Sequence, residues 1–343
     1  MTGEQPGEFD LIARLIEVVE EARGGAVGGG GSPGAAVLVG SGDDAAVTAP
    51  PGVTVTSVDA FVEGVHFRRD TSSLESIGHK AMAAALSDLA AMGAGPGEAY
   101  VQLGIPSDLD EAESLEVATG VGRAAAASGV AVIGGDVTRA PALLLAMTVV
   151  GHAGDAGELV LRSGGRPGDV VAVTGELGGA AAGLLLLQRP DLAHRLDPDV
   201  AEPLRRRQLE PSPRFAAGRA LAANGATAMI DVSDGLGGDA GHVARASGVG
   251  LEIQLAGVPV QAGVDEVAAA AGIDRWDLAA AGGEDYELLA TLPPERLDDA
   301  RAAVGATGTT LTPIGEVAEG EGVSLRQADG SSREPSGFDQ LRR

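Results

Sequence analysis

A short apolar run, an acidic element beside glycine or a small hydroxyl residue, and a helix recur along this chain. That layout limits what it can fold into. The acidic elements are Gly42-Asp43-Asp44, Leu86-Ser87-Asp88, Gly134-Gly135-Asp136, Asp231-Val232-Ser233-Asp234-Gly235 and Gly282-Gly283-Glu284-Asp285. Strands alternating with helices predict mixed β-sheets flanked by helices, an α+β arrangement with α/β sandwich character. The layout appears in both halves of the 343 residues, so two domains are expected, 1–152 and 153–343.

Periodicity and stop signals predict helices over 8–21, 73–92, 110–128, 177–188, 211–223 and 236–247. Strands are predicted over 35–39, 53–58, 100–103, 130–133, 143–150, 170–174, 229–232, 251–255 and 286–292. The glycine-rich stretch 24–34 reads as a flexible loop.

Hydrophobic residues make up 44% of the chain and aromatic ones 2%, so the cores must be built from Ala, Val, Leu and Ile. A net charge of -25 argues against nonspecific binding to nucleic acid or to anionic membranes. Lys80 is the only lysine among 24 basic residues, which leaves arginine, backbone N–H groups and metal to hold an anionic ligand. Without cysteine there is no disulfide, thiolate metal site or cysteine nucleophile. No apolar run reaches the length of about 18 residues that a membrane span needs. Residues 1–10 are polar and acidic, unlike a signal peptide, so a cytoplasmic protein is expected.

Each acidic element has two readings. Asp43-Asp44 is an Asx-type turn or a pair of like charges offset by a cation. Asp88 lies in an apolar helix near its C-terminal end, where burial and the helix dipole both disfavour negative charge. It either faces solvent or meets a partner such as a metal ion. Gly134-Gly135-Asp136 is a plain turn or a place where backbone approaches a phosphate and Asp136 holds its metal. Asp231, Ser233 and Asp234 end a strand and open a helix; an N-cap accounts for one of them but not for all three. The acids from Glu284 to Glu287 are a solvated surface or part of a site. His66 and Arg162 are weak signals when taken alone. Hard oxygen ligands beside small residues suit Mg2+ and the phosphates it carries, and no glycine-rich loop ending in Lys-Ser or Lys-Thr is present.

The elements fall in one order with Asp59, Gly64-Val65-His66-Phe67, Ala90-Ala91-Met92-Gly93, Val137-Thr138-Arg139, Arg162-Ser163-Gly164 and Tyr286-Glu287-Leu288. The opening Gly7-Glu8-Phe9-Asp10-Leu11-Ile12 and the closing Gly337-Phe338-Asp339 add to the pattern. Over nearly its whole length the chain resembles the thiamine-monophosphate kinases of the PurM-like, or aminoimidazole ribonucleotide synthetase-like, superfamily. The resemblance implies ATP-dependent phosphorylation of thiamine monophosphate to thiamine diphosphate. It implies a homodimer joined through the N-terminal domains, and several Mg2+ ions held by Asp44, Ser57, Asp59, Asp88, Asp136, Asp231 and Asp234 or by their immediate shell. Among these, Asp88, Asp136 and Asp231 are the expected catalytic residues. Gly135, Asp136, Arg162 and Ser233 would contact ATP. His66, Glu284 and Phe338 would line the thiamine phosphate site. Two positions depart from the pattern: Val58 stands where the family often has threonine, and Phe338 where it commonly has tyrosine or tryptophan.

The chemistry suits these residue types. A phosphate monoester has a second pKa of about 6, so at neutral pH the acceptor needs no strong general base. The five histidines form no evident dyad or triad. The intact acidic set argues against a catalytically silent member of the family, and two alternatives remain. One is another ATP-dependent enzyme of the same superfamily acting on a different small phosphate-bearing or amide substrate. The other is a non-enzymatic acidic cation-binding protein, which would need ligands clustered in a local loop.

Overall fold

The computed structural model describes residues 8–22, 36–41 and 45–338. Asp43, Asp44, the 24–34 loop, Gly7 and Asp339 lie outside the described residues. The chain separates into two compact units, residues 1–89 with 95–156, and residues 90–94 with 157–343.

The first unit contains α1 (Glu8–Ala22), β1 (Ala36–Val39), β2 (Val47–Ala49), β3 (Val53–Val62), the body of α2 (Leu74–Ala91), β4 (Gly95–Ile105), α3 (Glu111–Ala127), β5 (Ala131–Arg139) and β6 (Leu144–Ala153). β1 and β2 form a two-stranded ribbon, and the main sheet has the order β3-β6-β4-β5. β4 and β5 run parallel, joined by α3, while the other pairs are antiparallel. Local chemistry sets the helix starts. Ser73 caps α2 by accepting from the Ser76 N–H at 3.1 Å. Asp110 and Glu113 form a capping box at the start of α3.

Strand alternation divides the main sheet into two faces. Phe61, Leu145, Met147, Val149, Leu103 and Ile133 are buried, as are Ile77, Met82, Leu86 and Leu89 of α2. On the other face of β3, Thr54, Thr56, Val58 and Ala60 are exposed.

The second unit contains β7 (Val170–Thr174), α4 (Gly179–Gln188), α5 (Pro190–Ala193), α6 (Pro198–Leu209), α7 (Phe215–Ala223), β8 (Ala228–Asp231), α8 (Leu236–Ser247), β9 (Gly250–Gln254), α9 (Val264–Ala271), α10 (Arg275–Ala279), β10 (Leu288–Leu292), α11 (Leu297–Gly305), β11 (Leu311–Ala318), β12 (Gly322–Arg326) and β13 (Ser332–Arg333). Its seven-stranded sheet has the order β13-β12-β9-β11-β7-β10-β8 and is antiparallel except for β12 beside β9. Both faces of its centre are covered. Val171, Val173, Ile230 and Leu289 pack with Leu236 and Val243 of α8. Ala172, Met229, Leu288 and Ala290 pack with Leu221 of α7 and Val304 of α11. A separate cluster of Leu186, Leu192, Leu204, Val267 and Leu278 holds α4, α5, α6, α9 and α10 together. Central strands buried on both faces read as continuous apolar runs, which is why Val170–Thr174 matches its predicted bounds. Mixed sheets flanked by helices in both units bear out the expected fold class.

Candidate active site

In the first unit, β3 carries Ser57 and Asp59 two residues apart, so both side chains share one face. Opposite them α2 presents Asp88, and the Ser57 Oγ donates to Asp88 Oδ2 at 2.5 Å. Burial is the main influence that pushes the Asp59 carboxyl above its ordinary value; the like charge of Asp88 pushes the same way, while the Ala60 N–H and His66 oppose it. Asp88 is half-buried, so the costly local position noted in the sequence is real. Asp59 lies inside β3 rather than after it, because the β3–β6 ladder continues through Val62 paired with Leu144.

His66 sits in the turn that follows β3. Its Nδ1 accepts from the Val62 N–H at 3.1 Å, so a neutral ring carries its proton on Nε2. The ring stacks on Phe61 with centroids 5.2 Å apart. Glu63 anchors the same turn by accepting from Arg69 at 2.6 Å and from the Leu143 N–H at 3.2 Å. Four predicted residues, Ser57, Asp59, Asp88 and His66, are thus brought together. Val58 is not among them. It is 70% exposed on the opposite face, so its side chain points away from Ser57 and Asp59, which flank it in sequence.

Gly134-Gly135-Asp136 lies inside β5 and not in a turn. The reason is packing: a Cβ on Gly135 would stand 2.1 Å from the Val101 carbonyl oxygen, so glycine lets β5 lie against β4. Asp136 is exposed and pairs with Gln102, in the ladder row of Ala146 and Ala60. That row alternates with the one holding Asp59.

In the second unit, β8 ends at Asp231, and Ser233 and Asp234 lead into α8. Asp239, in the first turn of α8, reaches back: its Oδ2 accepts from the Ser233 and Asp234 N–H groups, each at 3.0 Å. Burial first, then the charges of Asp231 and Asp234, push the Asp239 carboxyl up to about 8. Sequence reasoning missed this residue. The signal was available, because Asp239 is a carboxylate on an apolar helix, the same argument applied to Asp88.

The sign of this shift fixes a pH dependence. The carboxyl is raised in the fold from 3.8 to about 8, so its stabilising contribution is whole below pH 3.8 and is lost as pH rises towards 8. In EDTA, Asp239→Asn is expected to melt a few degrees above the wild type at pH 8, with the difference shrinking towards pH 5. The amide oxygen keeps both backbone bonds while the charge is removed. Thermal melts across that range check it, and a variant less stable at pH 8 contradicts it.

Two loops meet at this end of the sheet. The Glu284 N–H donates to the Ser233 carbonyl at 2.8 Å, and the Tyr286 N–H to the Val232 carbonyl at 2.9 Å. A Cβ on Gly283 would stand 2.2 Å from the Ser233 carbonyl oxygen, so only glycine permits this approach. The Phe338 N–H donates to the Asp234 carbonyl at 2.9 Å, which brings the C-terminal segment beside the same loop. Asp231, Ser233, Asp234, Glu284 and Phe338 are thereby gathered. Arg162 is placed elsewhere. Its carbonyl accepts from Ser247 Oγ at 3.3 Å, at the last residue of α8, whereas Ser233 precedes the first. The twelve-residue helix between them is about 18 Å long.

The acids that follow Glu284 are not a solvated surface. Asp285 is buried and accepts from the Gly178 and Ala180 N–H groups at 2.6 and 3.0 Å, at the N-terminus of α4. Glu287 is 0% exposed and accepts from Arg207, Arg214 and Thr174.

Among the described residues, no three Asp, Glu or His side chains form a ready-made metal cage. The two acidic groups nevertheless fit Mg2+, which is commonly held by one or two carboxylates together with substrate phosphates. In each group a carboxyl is pushed up partly by its acidic neighbours, the repulsion that a divalent cation relieves.

Comparison with known proteins gives a consistent result. Residues 42–153 match the N-terminal domain of AIR synthase related protein, and residues 166–327 its C-terminal domain. A thiamine-monophosphate kinase of Mycobacterium tuberculosis is 40% identical over 291 residues, 84% of this chain and 81% of the relative. The crystal structure of thiamine-monophosphate kinase from Stenotrophomonas maltophilia superposes with a TM-score of 0.81 at 35% identity, covering 95% of this chain and 98% of that one. AaThiL complexed with AMPPCP and TMP superposes with a TM-score of 0.74 at 31% identity, covering 97% and 96%.

Proposed function

The chain belongs to the thiamine-monophosphate kinase family, and we propose that it transfers a phosphoryl group from ATP to thiamine monophosphate, giving thiamine diphosphate and ADP. The observation that carries this reading is the gathering of acids in each unit, Asp59 with Asp88, and Asp231 and Asp234 around Asp239, where like charges already oppose one another. Such groups are poor for stability and suited to a nucleotide's metal.

Asp59 and Asp88, with Ser57 beside them, and Asp231 and Asp234 are the proposed Mg2+ ligands, together with Asp44; Asp136, in the row of Ala60, is proposed to hold a separate Mg2+ from the other face of the sheet. Mg2+, when bound, neutralises charge on the nucleotide phosphates and on the transferred phosphoryl group. The chain's own residues bind and orient. Ser233, Gly135 and Arg162 are the proposed ATP contacts. His66, Glu284 and Phe338 are the proposed contacts of thiamine monophosphate. Phe338 is 60% exposed and keeps an aromatic face for stacking, without the hydroxyl of a tyrosine. No residue need act as a strong base, because the acceptor phosphate is already largely deprotonated at neutral pH. Transfer is direct and in line, so no phosphoenzyme forms. Rapid quench after mixing with labelled ATP should recover no label on protein at any time, and a chemically competent phosphoprotein would refute direct transfer.

The open face of the first unit's main sheet supports a homodimer. Val58 and Ala60 of β3 are exposed there without a covering layer among the described residues. No helix among the described residues is long and apolar enough to cross a membrane. A cytoplasmic location accords with the absence of cysteine.

Equilibrium dialysis separates this reading from a cation-binding protein. A kinase site takes up several Mg2+ ions only when a non-hydrolysable ATP analogue is present. Equal uptake without nucleotide would favour the cation-binding protein.

A further inference from the structure

Glu284 holds a backbone conformation that only glycine adopts freely, with φ at 69°, and Tyr286 follows at 51°. Such a conformation in a residue other than glycine is strained and persists only where its surroundings fix it. Asp285, between them, is tied to the start of α4, and the Arg207 guanidinium donates to the Asp285 carbonyl at 2.8 Å. The backbone of the loop is therefore set from two sides.

The side chain of Glu284 has its own anchor. Gln208, the next residue of α6, is 4% exposed, and its Nε2 donates to Glu284 Oε2 at 2.7 Å. The other amide atom, Gln208 Oε1, is buried with no hydrogen-bond partner. An unsatisfied buried acceptor is destabilising, and a leucine or methionine at this point of α6 would avoid that cost. Gln208 thus carries a stability penalty while making one bond to a half-buried carboxylate that leads out of the core. That combination favours a role at the site over a role in packing.

We propose that Gln208 is a positioning residue for the phosphoryl acceptor: its amide fixes the direction in which Glu284 presents its carboxylate to thiamine monophosphate. The proposal rests on the assignment of Glu284 to the acceptor site. With Nε2 as donor, Glu284 is oriented as an acceptor, which complements a cationic or N–H-bearing ligand.

The test is a double-mutant cycle on the full chain with Gln208→Met and Glu284→Ala, read as KM for thiamine monophosphate, KM for ATP and melting temperature. Gln208→Met should raise KM for thiamine monophosphate about tenfold, leave KM for ATP unchanged and not lower the melting temperature. Added to Glu284→Ala, it should change KM for thiamine monophosphate no further. An unchanged KM in the single variant overturns the proposal. So does an equal effect with and without the Glu284 carboxylate, which marks a structural role. A folded wild type inactive on thiamine monophosphate overturns the functional reading and this proposal with it, whereas failure of the cycle alone leaves that reading standing.

Discussion

Glu287→Gln should lower the melting temperature by about 10 °C, the largest stability change expected from one substitution in this chain. Glu287 is the hub of the second unit's polar core. The Arg207 and Arg214 guanidiniums each approach its Oε1 at 2.5 Å, and Arg214 Nε donates to Oε2 at 2.9 Å. Thr174 Oγ1 donates to the same Oε2 at 2.7 Å and accepts from the Leu288 N–H at 2.8 Å, which links the hub to the β7–β10 ladder. Removing one member of a buried ion network leaves the others uncompensated, at a cost of about 3–5 kcal/mol. Here both arginines keep some solvent contact, so the lower end of that range is expected. Calorimetry of the variant checks it. A melting temperature within a degree or two of the wild type would show that the network is solvated and contributes little.

The largest loss of activity is expected from Asp88→Asn and from Asp231→Asn, each lowering kcat by about 100- to 1,000-fold, the scale set by removing one strong electrostatic contact to the transition state. Both changes keep the size and shape of the side chain. Asp88→Asn leaves an acceptor for Ser57 but takes away a charge next to Asp59. Asp231→Asn takes away one of the charges that surround Asp239. Because each substitution relieves repulsion among like charges, neither variant should melt below the wild type in EDTA. Steady-state kinetics with a parallel melt check the pair. Near-wild-type kcat in either folded variant would remove that aspartate from the proposed set.

Much of this arrangement was legible in the sequence where local chemistry decides it. Asp110, Glu113 and Ser128 mark both ends of α3 before any tertiary contact is considered. Leu236–Ser247 forms α8 with its predicted bounds, although Gly235 and not Ser233 or Asp234 stands at its N-cap, and Gly248 closes it left-handed at φ 67°. Tertiary context hid the rest. β4 begins at Gly95-Pro96-Gly97, which reads as a turn; it is a strand because β6 pairs with it as far as His152. α6 contains Pro203 and a run of arginines, so its pattern does not read as a helix; burial of Ala201, Leu204 and Gln208 holds it. Asp285 and Glu287 look like surface acids because their partners, Gly178, Ala180, Arg207 and Arg214, are far away in sequence. Of the site residues, those within a few positions of a strand end, Asp231, Ser233 and Asp234, could be placed together from sequence. The meeting of Ser57 with Asp88, and of Phe338 with Asp234, depends on how distant elements pack.

The central claim is tested most directly by incubating the purified chain with thiamine monophosphate, ATP and Mg2+ and separating the products. The account predicts thiamine diphosphate and ADP in equal amounts, none in the presence of EDTA and none when thiamine monophosphate is omitted. A folded protein that binds ATP yet yields no thiamine diphosphate would contradict it.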